Sequence, residues 1–150
     1  MWEESFSFPC DDEGDTLEVL VEDYDLVSAN DFMGSVVVAA RDLADRRCHR
    51  AWHRLLRKDG ALGVGAVELC LRRRHDPALS LPTPEAFTKD ETHPAAAANV
   101  LRVHVIRAKG LPIADKNIFS KGGSSDPVCV LSVGGAVLRG YQSGLEIHQS

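Results

Sequence analysis

The sequence predicts an all-β protein, an antiparallel eight-stranded β-sandwich, and three observations carry that expectation. Apolar residues alternate with polar ones over short runs, turn-forming residues separate the runs, and no long amphipathic helical pattern lies between them. At 150 residues, 44% apolar and 26% charged, the chain is long enough to bury one core.

The elements follow in order. Trp2, Phe6 and Phe8 share one parity while Glu3, Ser5 and Ser7 take the other, so a strand gathers the aromatics on one face and Pro9 ends it. Leu17, Val19 and Val21 alternate with Glu18, Leu20 and Glu22 in a half-buried strand that runs into Asp23-Tyr24-Asp25. Phe32 to Val38, Trp52 to Leu55 and Val64 to Leu71 read as the next three strands, with loop or a short helix over Asp42 to Ala51. Four prolines and an alanine run mark residues 76–98 as a linker. Beyond it, Leu101, Val103 and Val105 alternate with Arg102, His104 and Ile106, Val128 to Val133 forms a second apolar run before Gly134-Gly135, and a third strand spans Ala136 to Ile147.

Charge is unevenly placed. Residues 1–40 hold no Lys or Arg but many acids, so a cation is the natural partner there. From Arg41 to Arg74 the balance reverses, and Arg72-Arg73-Arg74 reads either as a solvated strand end or as an electrostatic contact with anionic lipid. The net charge of -5 would argue against nucleic acid if it were spread evenly, but the Arg41 to Arg74 stretch could face anionic lipid or nucleic acid; no nucleic-acid partner is expected, and the lack of a phosphate-loop or dinucleotide motif argues against nucleotides. Cys10, Cys48, Cys70 and Cys129 are widely spaced with no C-x-x-C pair, so reduced cytosolic thiols are expected rather than a zinc site or a disulfide framework. No apolar run approaches the roughly 20 residues of a membrane-spanning helix, so membrane contact is expected to be peripheral.

Asp23, Asp25 and Asp31 form D-x-D-x5-D, two carboxylates at a strand end and a third after an excursion that folds back. Like charges this close repel unless a cation joins them, and calcium takes oxygen ligands from flexible carboxylates and carbonyls. The Gly and terminal Glu of an EF-hand loop are missing. His49 and His53 would share a face if their segment were helical, but no third metal ligand lies in register.

The run Glu22 to Gly34, EDYDLVSANDFMG, resembles the third calcium-binding loop of C2 domains, as in protein kinase C and synaptotagmins, and Trp2 to Phe8 resembles the strand preceding it. Leu101 to Val133 resembles the opening of that family, with Ala108-Lys109-Gly110-Leu111-Pro112 leading into the first calcium loop and Ser125-Asp126-Pro127 ending it. The resemblance implies a Ca2+ site of Asp23, Asp25, Asp31, Asp115 and Asp126. It also implies calcium-dependent docking on anionic phospholipid membranes from the cytoplasm, with no catalysis. Membrane contact is expected at Leu26 and Val27 in one loop and at Ile113, Lys116, Ile118, Phe119 and Lys121 in the other.

The order of the halves is reversed relative to the family. Residues 1–75 resemble its last five strands and 99–150 its first three, so neither is complete alone. A slice through tandem modules and a circular permutation both fit, and a composite single domain, monomeric or strand-swapped as a dimer, is the expectation. The rival functions are a calcium-independent protein-interaction module using the arginine-rich surface, or a targeting module of a longer enzyme.

Overall fold

Alternation in the sequence becomes eight strands: β1 (Glu4–Pro9), β2 (Thr16–Asp23), β3 (Asp31–Ala39), β4 (His49–Leu56), β5 (Leu62–Arg74), β6 (Val100–Lys109), β7 (Pro127–Val133) and β8 (Ala136–Tyr141). The computed structural model describes residues 2–10, 13–26, 28–76, 98–112 and 126–141. The expected linker therefore lies almost wholly outside the described residues, as does the part of the last expected strand beyond Tyr141.

Neighbouring strands follow the order β1-β6-β5-β4-β3-β2-β7-β8, antiparallel throughout. Between β3 and β4 the ladder narrows to Ser35 opposite Leu56. It thus divides into two four-stranded sheets, β1-β6-β5-β4 and β3-β2-β7-β8, whose apolar faces share one core. Phe6, Phe8, Leu69, Leu71 and Val103 enter it from the first sheet, and Leu17, Val19, Val21, Leu131 and Val133 from the second. Each such side chain contributes roughly 1.5–3 kcal/mol when fully buried. This is the β-sandwich expected from the alternation, and Trp2, Phe6 and Phe8 are buried together as their shared parity requires.

Strands from the two ends of the chain interleave. β6 lies between β1 and β5, and β7 lies against β2. A chain of polar contacts fastens β1 to β6: the His104 ring lies 2.6 Å from Ser5 Oγ through Nδ1 and 3.0 Å from Glu3 Oε2 through Nε2. Gly134 and Gly135, at φ 53° and 89°, form the two-residue turn between β7 and β8, where both positions need positive φ.

Leu55, 1% exposed, sits where the sheets join. A Cβ on Gly34 would lie 2.5 Å from its Cβ, and one on Gly65 would lie 3.0 Å from its Cδ1. The two glycines make room for this leucine, which is the physical reason for a glycine after Phe32-Met33.

The segment after β3, expected as loop or a short helix, begins with a 3-10 turn at Ala40–Leu43, and His49 and His53 lie on extended β4; His49 Nε2 pairs with Asp45 Oδ1 at 2.7 Å. Three expectations change. The strand expected at Trp52 to Leu55 begins earlier, at His49, because β4 pairs with β5 along its length. Cys48 and Cys70 are joined by a disulfide rather than held as thiols: the β4–β5 hairpin folds back and brings their Cα atoms to 6.2 Å, within bridging range. Wide sequence spacing hid a cross-strand neighbour. Finally, Arg72-Arg73-Arg74 is not one surface row, since a period of two sends Arg73 inward. Arg73 is buried, and one Nη donates to Cys10 O at 3.4 Å and Ala98 O at 3.3 Å. Arg74 reaches Asp76 at 3.7 Å.

On the outer face of the first sheet, the Glu68 carboxylate accepts from Arg50 Nε at 2.8 Å and Arg107 Nε at 2.7 Å. These hydrogen bonds, Arg50 first, hold its pKa below the ordinary glutamate value. Glu4 is shifted the other way, its carboxyl pushed up by burial.

Two predictions follow from this packing. Gly34→Ala forces Leu55 out of place and lowers stability by roughly 1–3 kcal/mol, measured by chemical denaturation. Because the Glu68 pKa is depressed, its contribution is complete above the unfolded-state value of about 4.3 and is lost as pH falls through the folded-state value. Melting curves between neutral pH and about pH 3 therefore fall less steeply on the acid side for Glu68→Gln than for the native chain.

Candidate functional site

Asp23 stands on the core-facing parity of β2 and is 4% exposed. Its Oδ1 accepts the Asp126 N–H at 2.8 Å, and the Tyr24 N–H donates to Asp126 O at 2.9 Å. The last residue of β2 and the residue before β7 are therefore clamped together. In register, Asp23 stands opposite Asp31 on β3 and opposite Pro127 on β7. Three aspartates thus stand at three neighbouring strand ends, at one end of the second sheet. A β-bulge helps: Val21 pairs with Gly34 and Glu22 with Phe32, leaving Met33 as the extra residue, and such a bulge re-aims the strand where the site begins.

Between Asp23 and Asp31 the loop is organised by its own polar side chains. The Asp25 N–H donates to Asn30 Oδ1 at 3.1 Å, Asn30 Nδ2 donates to Glu22 Oε2 at 3.1 Å, and Ser28 Oγ donates to Asp25 Oδ2 at 2.5 Å. Asn30 ties the loop back to the strand that enters it. Sequence reading singled out none of Glu22, Ser28 or Asn30, although Ser and Asn commonly bond nearby backbone and turn groups. Leu26, at the tip, is 85% exposed.

At the same end, Lys58 of the β4–β5 turn lies over the Phe32 ring, 5.5 Å from its centroid, one residue from Asp31. Of the other residues expected at the site, Asp115, Val27, Ile113, Lys116, Ile118, Phe119 and Lys121 lie outside the described residues. Among the described residues, no three His, Cys, Asp or Glu side chains close into a group that holds a metal ion. The donors at this end are carboxylate, amide and hydroxyl oxygens, the ligand type that hard cations take. Burial pushes the Cys129 thiol far up, so it is chemically inert as a nucleophile or metal ligand. No helix of the described residues is long and apolar enough to cross a membrane.

A family model, the C2 domain, matches the chain over residues 1–55 and 99–143. No curated protein and no solved structure matches. The two matched segments contain all the strand ends that carry Asp23, Asp31 and Asp126. The chain belongs to the C2 domain family, whose members are generally membrane-, lipid- or protein-binding modules.

Proposed function

We propose that residues 1–75 and 99–150 form one composite domain that docks on anionic phospholipid membranes when calcium binds to Asp23, Asp25, Asp31, Asp115 and Asp126. The observation that carries this reading is the placing of Asp23, Asp31 and Asp126 at adjoining strand ends, two from the first segment and one from the second.

The chain's own residues divide the work. The Asp126 N–H hydrogen-bonds the buried Asp23 carboxylate where the β2–β7 ladder ends. Asn30 and Ser28 hold Asp25 in the loop. Bound calcium supplies positive charge and coordination positions open to headgroup oxygens. Exposed Leu26 is placed to enter the acyl boundary, with Val27, Ile113, Ile118 and Phe119 as further apolar contacts and Lys116 and Lys121 facing headgroups. The localisation proposed is peripheral on a membrane surface, cytoplasmic as the resemblance implies, although the Cys48–Cys70 bond is of a kind that persists in oxidising compartments.

Thermal unfolding in calcium and in chelator tests the reading, because a ligand that binds only the folded chain raises its stability. At a hundredfold excess over the dissociation constant the gain is about 2.7 kcal/mol. The expected result is one cooperative transition that moves up with calcium, an effect abolished in Asp25→Asn, together with calcium-dependent sedimentation on phosphatidylserine vesicles. A transition indifferent to calcium, with sedimentation unchanged by Asp25→Asn, contradicts it.

A further inference from the structure

Strand β4 has little of its own to hold it. Of its eight residues Leu55 alone is buried, and its ladder to β3 is the single pair Ser35–Leu56. Both anchors lie at its C-terminal end. The first half is held by the β5 ladder, which begins at His49 opposite Leu71, and by surface side-chain contacts such as Arg50 with Glu68. Just outside that first ladder pair the Cys48–Cys70 bond ties the chain down. The segment leading into it carries local strain, with Arg46 at φ 57°, a left-handed conformation that a residue with a side chain adopts at a cost.

The bond lies where reagents reach it. Cys48 is exposed and Cys70 half-buried, whereas Cys10 and Cys129 are sealed in the core at 0% and 1% exposure. In register, Cys70 stands between Arg50 on β4 and His104 on β6. Arg72, the next residue along the same face, donates from Nε to Arg46 O at 3.0 Å, two residues before Cys48. Neighbouring guanidiniums favour thiolate over thiol, and the thiolate is the form that reacts with oxidants and disulfides. Exposed disulfides are the readily reduced ones, and in a reducing compartment a bonded pair is typically transient and redox-sensing.

We propose that Cys48 and Cys70 form a reversible oxidation site, a surface dithiol that hydrogen peroxide closes and a small thiol such as glutathione reopens, with the anchoring of the first half of β4 following its state. On closing, the Cys48 thiolate attacks one peroxide oxygen: an S–O bond forms, the O–O bond breaks, and the departing hydroxide takes the proton that the thiol gave up and leaves as water. The Cys70 thiolate then attacks the sulfenic sulfur, the S–S bond forms, the S–O bond breaks, and a second water leaves with the Cys70 proton. Two electrons pass from the sulfurs to the peroxide. On reopening, a small thiolate attacks the exposed Cys48 sulfur and Cys70 leaves as thiolate. A second small thiol then attacks the mixed disulfide, frees Cys48 and departs as the small disulfide. The site rests on neither calcium nor lipid.

The test takes the full chain with the bond formed, adds millimolar reduced glutathione without denaturant, and counts thiols by the gel shift of a maleimide polymer. The expected result is labelling at Cys48 and Cys70, with Cys10 and Cys129 unlabelled until denaturant is added. Hydrogen peroxide is then expected to restore the bond within one chain. Opening is expected to lower the melting temperature by roughly 10 °C and to speed amide exchange over residues 44–50 by about tenfold. Cys48→Ser/Cys70→Ser is expected to melt like the reduced native chain and to ignore glutathione. The proposal is overturned if the bond survives glutathione in the folded chain and opens only in denaturant, which would make it a permanent staple. It is equally overturned if the reduced, folded chain does not reclose with peroxide, or if the two states melt and exchange alike.

Discussion

Strand β2 is the element on which the rest depends. Leu17, Val19 and Val21 are fully buried, and the strand is hydrogen-bonded on one side to β3 from its own stretch of sequence and on the other to β7 from beyond the linker. Without β7, one edge of β2 would expose a row of backbone donors and acceptors beside a core half uncovered, a costly and association-prone arrangement. β6 meets the same need in the other sheet, between β1 and β5. Backbone satisfaction and core burial therefore demand the same partners, and the interleaving of the chain's two ends follows from that demand.

The chemistry of the acidic end is a by-product of this pairing. Because β2 ends in Asp23, whatever strand lies beside it delivers its own terminal residues to that carboxylate, and the Asp126 N–H takes the place. The opposite pole of the charge distribution arises in the same way. Period-two alternation on β4, β5 and β6, with a bulge at Ile106 that switches the parity of β6, sends Arg50, Arg72, Arg102 and Arg107 outward. One sandwich thereby carries an acidic end and a basic face, each built from residues distant in the chain.

Much of this was legible in the sequence. Alternation identified the strands because each has one buried and one exposed face, and D-x-D-x5-D marked the acidic loop because its aspartates follow a strand with strict parity. What remained hidden depends on register between strands. The Cys48–Cys70 bond, the burial of Arg73 and the capture of Glu68 by Arg50 and Arg107 each require knowing which residue faces which. Asn30 escaped notice for a related reason, since its two partners, the Asp25 N–H and Glu22, become neighbours only once the loop has folded back. The glycine at position 34 could be read as part of a motif, but its cause, the approach of Leu55 from another strand, is visible only in three dimensions.

The central claim is that one calcium site draws ligands from both ends of the chain, and titration calorimetry of calcium into Asp126→Asn tests it most directly. The substitution keeps the backbone N–H that Asp23 accepts, so the strand pairing survives while one carboxylate is lost. The account predicts a loss of affinity of about tenfold or more, equivalent to about 1.4 kcal/mol, with the fold intact. Calcium binding of native affinity and stoichiometry in Asp126→Asn would contradict it, and would confine any site to the loop from Asp23 to Asp31.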